Sequence, residues 1–294
     1  MNRKDFLKRL GILTVGAIAA NTVACSGAKR PQKKKVIGIQ LWSVRQPINQ
    51  SLSETLSGLA ECGYLAIEGF GFNNGQYFNV DINEFDKMVR DAGMTLTSSH
   101  LSTRFTPETM DEALDWWKET ADRHKAVGCN TMVIPSLPSR RGQPMEIDFL
   151  DPICEYLNKV NDIAKERGMR AGFHNHEVDE RTMENGKVVF DYMLENTDPS
   201  FFIQLDNHNM MAAGRCPVEF IHKYKSRVRQ LHVKDDDIIG ASGKICFEEL
   251  FTAAAQYDIF EPIVEVENYP KDPMECMCLS FDYLNAAPYV QFFG

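Results

Sequence analysis

No run of about 20 apolar residues occurs, the length a spanning helix takes; the apolar stretch from Gly11 to Ala20 is too short. The eight cysteines contain no CxxC pair, which excludes the usual zinc-finger and zinc-ribbon spacings. No G-x-G-x-x-G follows the first apolar run of the body, so the dinucleotide fingerprint is missing as well. Positive charge is scarce: 32 Lys and Arg against 41 Asp and Glu leave a net charge of -9. What is plentiful is apolar residue content, 44%, enough for a sizeable core in a chain of 294 residues.

The start of the chain stands apart from the rest. "MNRKDFLKRLGILTVGAIAANTVAC" has a basic opening, the Gly11–Ala20 stretch and small residues before Cys25, the pattern of an export signal. "NRKDFLK" is similar to a twin-arginine signal with Lys4 in place of the second arginine, and "TVAC" to a bacterial lipobox with Thr22 where an aliphatic residue is usual. Residues 1–25 are therefore expected to be an export signal with lipobox. Cys25 would carry a lipid anchor in the periplasm or cell envelope, the one expected contact with a membrane. Residues 26–35, "SGAKRPQKKK", read as a polar tether. Residues 1–24 hold four positive charges and one negative, so their removal takes -9 to -12; five more in the tether leave -17 on the body. So acidic a body repels nucleic acid, and the expected partner is a small neutral or metal-bridged molecule. The remaining cysteines read as buried free thiols, with a bridge open to an exported chain.

From residue 36 to residue 294 the chain reads as a single domain. Short apolar runs start at Val36, Leu65, Met94, Thr131, Met169, Phe201, Val228 and Pro262, spaced 29, 29, 37, 38, 32, 27 and 34 residues apart. Each interval fits a strand, a helix and two connections. Between them lie segments with apolar residues three and four apart, such as Leu52, Leu56, Leu59 and Ala60. Gly63, Gly93, Gly128 and Gly168 stand just past four of these segments, where a left-handed cap ends a helix. Alternating strand and helix in eight units predicts an α/β fold, a (β/α)8 TIM barrel; an open doubly wound sheet is the competitor.

The C-terminal ends of these runs carry Gln40, Glu68, His100, His174, Asp206, His232 and Glu265. In such a barrel these ends converge on one mouth, where the active site sits. His174, Asp206, His232 and Glu265, from units five to eight, are two imidazoles and two carboxylates, a donor set for a divalent metal: Mn, Co or Zn, with iron(II) also suited, rather than calcium. The candidate proton-transfer and catalytic groups are His176, Lys234 and Glu265. Candidate substrate-binding residues are Gln40, Trp42, Glu68, His100, His208 and Asn209, with Phe70 and Phe72 as further stacking faces. Trp116 and Trp117 read as packing.

The layout, with "GFHNHE", "LDNHNM", "LHVKD" and "VEVEN" at strands five to eight, resembles the xylose isomerase-like superfamily, in its sugar phosphate isomerase/epimerase group. The resemblance implies metal ligation by Asp206, His232 and Glu265. It also implies a strand-five glutamate, whose place here falls in an "HNH" variant of an exported or inosose dehydratase-like branch. His174, His176 or Glu177 would take that place. Ketose 3-epimerases of the superfamily use two glutamates on opposite faces of one carbon, a scheme the variant weakens. The resulting expectation is an exported, metal-dependent sugar isomerase or epimerase acting beside a carbonyl through an enediolate, with a homo-oligomer an open option. The alternatives are a carbon–oxygen lyase on a keto-glycoside or an inosose-type dehydratase, and a non-catalytic sugar-binding lipoprotein. A superfamily endonuclease would need a basic face that this chain lacks.

Overall fold

The computed structural model describes residues 35–138 and 146–291. The export signal, the lipobox at Cys25 and most of the tether lie outside the described residues. Eight parallel strands close into a barrel: β1 (Gly38–Gln40), β2 (Ala66–Gly69), β3 (Thr95–His100), β4 (Thr131–Ile134), β5 (Arg170–His174), β6 (Phe202–Asp206), β7 (Val228–Val233) and β8 (Pro262–Val264). Neighbours in space are neighbours in sequence, and β8 closes on β1 through Gly38–Ile263 and Ile39–Val264. Every predicted run contains one of these strands, so the fold is the (β/α)8 TIM barrel.

Among the described residues, eight helices of seven residues or more surround it: α1 (Leu52–Cys62), α2 (Ile82–Asp91), α3 (Met110–Ala126), α4 (Ile147–Glu166), α5 (Val189–Glu195), α6 (Pro217–Lys223), α7 (Phe247–Gln256) and α8 (Pro273–Ala286). Each turns an apolar stripe inward; on α1 it is Leu56 and Leu59, and on α4 Leu150, Ile153, Leu157 and Val160. Burying each such side chain fully stabilises the fold by about 1.5–3 kcal/mol. The four predicted stop glycines have φ of 111°, 86°, 84° and 65° at residues 63, 93, 128 and 168, a region that side chains with a Cβ avoid. Gly172 inside β5 serves a different end. A Cβ there would lie 2.6 Å from the Phe202 ring and its carbonyl oxygen, so β5 and β6 approach closely only because it is glycine. No helix among the described residues is long and apolar enough to cross a membrane.

Two expectations need correction. Lys35, read as the last residue of the tether, is buried, and its ammonium donates to the carbonyls of Leu284, Asn285 and Ala287 at the end of α8. The remaining cysteines are not all buried thiols. Cys62 and Cys278 are joined by a disulfide across 216 residues, tying α1 to α8, and Cys216 and Cys246 are exposed.

Candidate metal centre

Parallel register decides which side chains meet. His174 on β5 pairs with Gln204 on β6, and Asp206, two residues on, pairs with His232 on β7. Strand side chains alternate in direction, so Gln204 and Asp206 both enter the barrel, one layer apart. Glu265 follows β8 directly. One donor atom from each of His174, Asp206, His232 and Glu265 lies within 4.8 Å of the other three, and all four residues are buried. Of the three strand-five candidates it is His174 that lies in this cluster; His176 is half-buried beside it, and Glu177 is exposed on a short turn, Glu177–Glu180.

Beneath these donors lies a polar layer centred on Glu68, which is buried completely. Its Oε1 accepts from Gln40 Nε2 at 2.7 Å, His232 Nε2 at 2.7 Å and His100 Nε2 at 3.0 Å. Its Oε2 accepts from Ser98 at 2.5 Å and Gln204 Nε2 at 2.7 Å. An ionised carboxylate only accepts, so Glu68 decides the orientation of everything it touches. His232 presents Nε2–H to it, which leaves Nδ1 facing Glu265 Oε2 at 3.4 Å. Gln204, with its amide nitrogen spent on Glu68, turns Oε1 to His174 Nδ1 at 3.1 Å and His100 Nε2 at 2.8 Å. His174 thus donates from Nδ1 and keeps a lone pair on Nε2, 4.0 Å from Asp206 Oδ2. One carboxylate on β2 fixes the ring tautomers of two donors, the outer-shell role that tunes metal sites. Burial opposes charge on Glu68, but the His100 and His232 rings bonded to it hold its carboxyl well below the usual range.

The donor set fits a divalent ion on one further observation. Asp206 Oδ1 accepts from the Asn209 backbone N–H at 2.7 Å, while Oδ2 is buried with no hydrogen-bond partner. A buried carboxylate oxygen without a donor is costly unless a cation takes it. Burial pushes the Asp206 carboxyl up to about 6. Burial and the neighbouring rings of His232 and His100 hold His174 well below its usual value, leaving it neutral, as a ligand must be. His232 behaves oppositely: burial disfavours its charge, yet Glu68 and Glu265 together raise it to about 10 while no cation shares the site, so an ion taken at Nδ1 would displace a proton there.

The other predicted residues separate into those at the cluster and those away from it. Lys234 Nζ lies 3.4 Å from Glu265 Oε2, 3.9 Å from Asp206 Oδ2 and 2.5 Å from Glu267 Oε2; burial opposes its charge but these carboxylates raise its pKa. It is a standing cation, not a base. The His176 ring centroid sits 4.8 Å from that of His174, and burial lowers its pKa. Trp42 is exposed on the turn after β1. Gln40 and Glu68 are buried among protein partners in the polar layer, and His100, partly exposed, meets Glu68 and Gln204 there. His208 Nε2 turns to Asp236 Oδ1 at 3.1 Å, and the Asn209 amide to the Asn175 carbonyl at 3.1 Å, so both build the loop around Asp206. Phe72 is core, against Tyr77 and His124. Gln204, Ser98 and Gln230 went unnoticed in sequence; the available signal was a polar residue two before Asp206, His100 and His232.

Two cavities lie among loops at the same end of the barrel, one of about 610 Å³ after β1 and β2 and one of about 510 Å³ after β3 and β4. The four donors come from the other four strands.

Comparison with known proteins agrees with this geometry. Residues 56–275 match the family model described as xylose isomerase-like TIM barrel. An inosose dehydratase of Geobacillus kaustophilus is 25% identical over 196 residues, 62% of this chain and 61% of that protein. One of Clostridium perfringens is 25% identical over 184 residues, 58% and 61%. The chain spans about three fifths of the length of these curated relatives. Among solved structures, a sugar phosphate isomerase/epimerase from Parabacteroides distasonis, 31% identical, superposes with a TM-score of 0.82 over 91% of this chain and 98% of that one. An L-ribulose 3-epimerase, 16% identical with a TM-score of 0.66 over 85% and 93%, shares the fold. The family match takes in seven of the eight barrel strands and all four donors, and on that ground the chain belongs to the xylose isomerase-like TIM barrel family.

Proposed function

We propose that the protein is a divalent-metal-dependent sugar isomerase or epimerase that removes a proton from the carbon beside a carbonyl of a carbohydrate or polyol. The observation that carries this is the buried donor quartet with Asp206 Oδ2 left without a hydrogen-bond partner. His174, Asp206, His232 and Glu265 would hold Mn, Co or Zn, which when bound would polarise the carbonyl oxygen. His176, neutral through burial and beside His174, would take the C–H proton. Lys234, kept charged by Glu265 and Asp206, donates hydrogen bonds to substrate oxygens that gain negative charge as the enediolate forms. Glu265 is held well below the usual carboxylate range by His232 and Lys234 despite its burial, so it serves as a ligand before it serves as a base. Returning the proton to the neighbouring carbon gives isomerisation; returning it to the other face of the same carbon gives epimerisation.

Elimination of a β-oxygen from the same enediolate is the second reading. It is favoured by a strand-five wall that presents His174 and His176 and by the inosose dehydratase relatives. Turnover of keto sugars and their glycosides in deuterated water separates these outcomes: label on the adjacent carbon, inverted label at the same carbon, or an unsaturated product. No label and no product would sink both.

The address belongs to the same proposal: an envelope lipoprotein anchored through Cys25. The basic start, the Gly11–Ala20 stretch and "TVAC" support it, and the Cys62–Cys278 bridge suits an oxidising compartment. Labelled palmitate should enter the wild-type chain and not Cys25→Ala; equal labelling would refute the anchor.

A further inference from the structure

The cavity after β1 and β2 is lined by none of the four donors. Trp42, 40% exposed, Phe70 and Phe78 form a row along it, successive ring centroids 5.2 Å apart. The rest of its lining is rich in amides: Asn49, Asn73, Asn74, Gln76 and Asn79, all exposed. Arg45 is the one charged residue in that lining among the described residues, and its guanidinium is engaged. It donates to the Trp42 carbonyl at 2.9 Å, Tyr269 OH at 2.7 Å and the Glu267 carbonyl at 3.2 Å, and lies 4.7 Å from the Trp42 ring centroid. The cavity therefore offers ring faces and neutral donors and acceptors. That is the chemistry of a pyranose, with apolar C–H faces and hydroxyl edges; a phosphate would call for charge.

Backbone strain sets one of its walls. Phe78 and Asn79, between the paired segments Gln76–Tyr77 and Val80–Asp81, have φ of 52° and 65°, and Asn74 has φ of 48°. Such turns favour asparagine and glycine, so a phenylalanine there is strained. Local preference does not select Phe78; it packs beside Phe70 in the aromatic row and against Phe85 of the core. The row is also built onto the metal centre. Gln40 donates to Glu68 and accepts from the Trp42 N–H at 3.1 Å, while Arg45 holds the backbone of Glu267, whose carboxylate takes Lys234.

We infer that this cavity is a second sugar subsite, so that the substrate is a neutral glycoside of at least two rings, one at the metal centre and one on the Trp42 platform. This deepens the proposed function and rests on its carbohydrate chemistry at the donor quartet. The test is isothermal titration of the metal-loaded full chain with glucose, cellobiose, maltose, trehalose and glucose 6-phosphate. At least one disaccharide should bind about tenfold or more tightly than glucose, and Trp42→Ala should bring that ratio close to one. Asn49→Ala, at an exposed helix position, should lower it by a smaller factor, and circular dichroism of both variants should match the wild type. The inference is overturned if no disaccharide binds more tightly than glucose, if glucose 6-phosphate binds best, or if the ratio survives in both variants. Metal-dependent proton exchange that persists alongside such a result would remove the subsite alone. Absence of metal and exchange with the disaccharide preference intact would remove the catalytic reading instead.

Discussion

The two halves of the barrel mouth use different chemistry. Strands β5 to β8 supply two imidazoles and two carboxylates, all buried, with a lysine beside them; β1 to β4 open onto two cavities whose walls are mainly aromatic, aliphatic, hydroxyl and amide. Buried charges act strongly because little water screens them, whereas neutral walls discriminate by shape and hydrogen bonding. The contrast underlies the proposed division of labour, in which one half would carry the reaction and the other would select what reacts. Glu68 is the crossing point, a β2 residue that orients His232 directly and His174 through Gln204.

The sharpest way to break this division is at His176. His176→Asn should lower kcat by about 10²–10⁴-fold while metal content stays at the wild-type level. An unchanged kcat would move the base elsewhere. Next in size is Glu68→Gln, which keeps the shape of the layer but removes its charge. Metal affinity, measured by competition with a chelator, should fall by about 10–100-fold. Unchanged affinity would mean that the two halves act independently. The smallest effect concerns the packing behind the first cavity, where His124 Nε2 meets Tyr77 OH at 2.7 Å and Nδ1 meets the Thr120 carbonyl at 2.7 Å. A carbonyl only accepts, so Nδ1 carries a proton. Burial lowers His124 to about 4, against 6.5 when unfolded. The unfolded chain then binds more protons between these values, so this contribution is complete above pH 6.5 and is lost as pH falls through 4. At pH 5 the loss should be about 2 kcal/mol, visible as a steeper drop in thermal midpoint than in His124→Gln. Parallel curves would contradict it.

The barrel was legible because buried parallel strands read as apolar runs and because Gly63, Gly93, Gly128 and Gly168 mark helix ends. His174, Asp206, His232 and Glu265 were legible for a related reason: polar residues at the ends of apolar strands have one place to go. The polar layer was not, since Gln204 and Ser98 gain their meaning from partners on other strands that only register brings together. The disulfide escaped because its cysteines are 216 residues apart and meet through helix packing. Phe78 escaped because its left-handed backbone runs against local preference.

Solvent deuterium incorporation tests the central claim most directly, run on wild-type protein and Asp206→Ala with a panel of keto sugars and their glycosides, and with the metal content of both proteins measured. The account predicts about one divalent ion per chain and exchange into at least one sugar for the wild type, and neither for the variant. Exchange undiminished in Asp206→Ala, or a wild type with neither metal nor exchange, would contradict it.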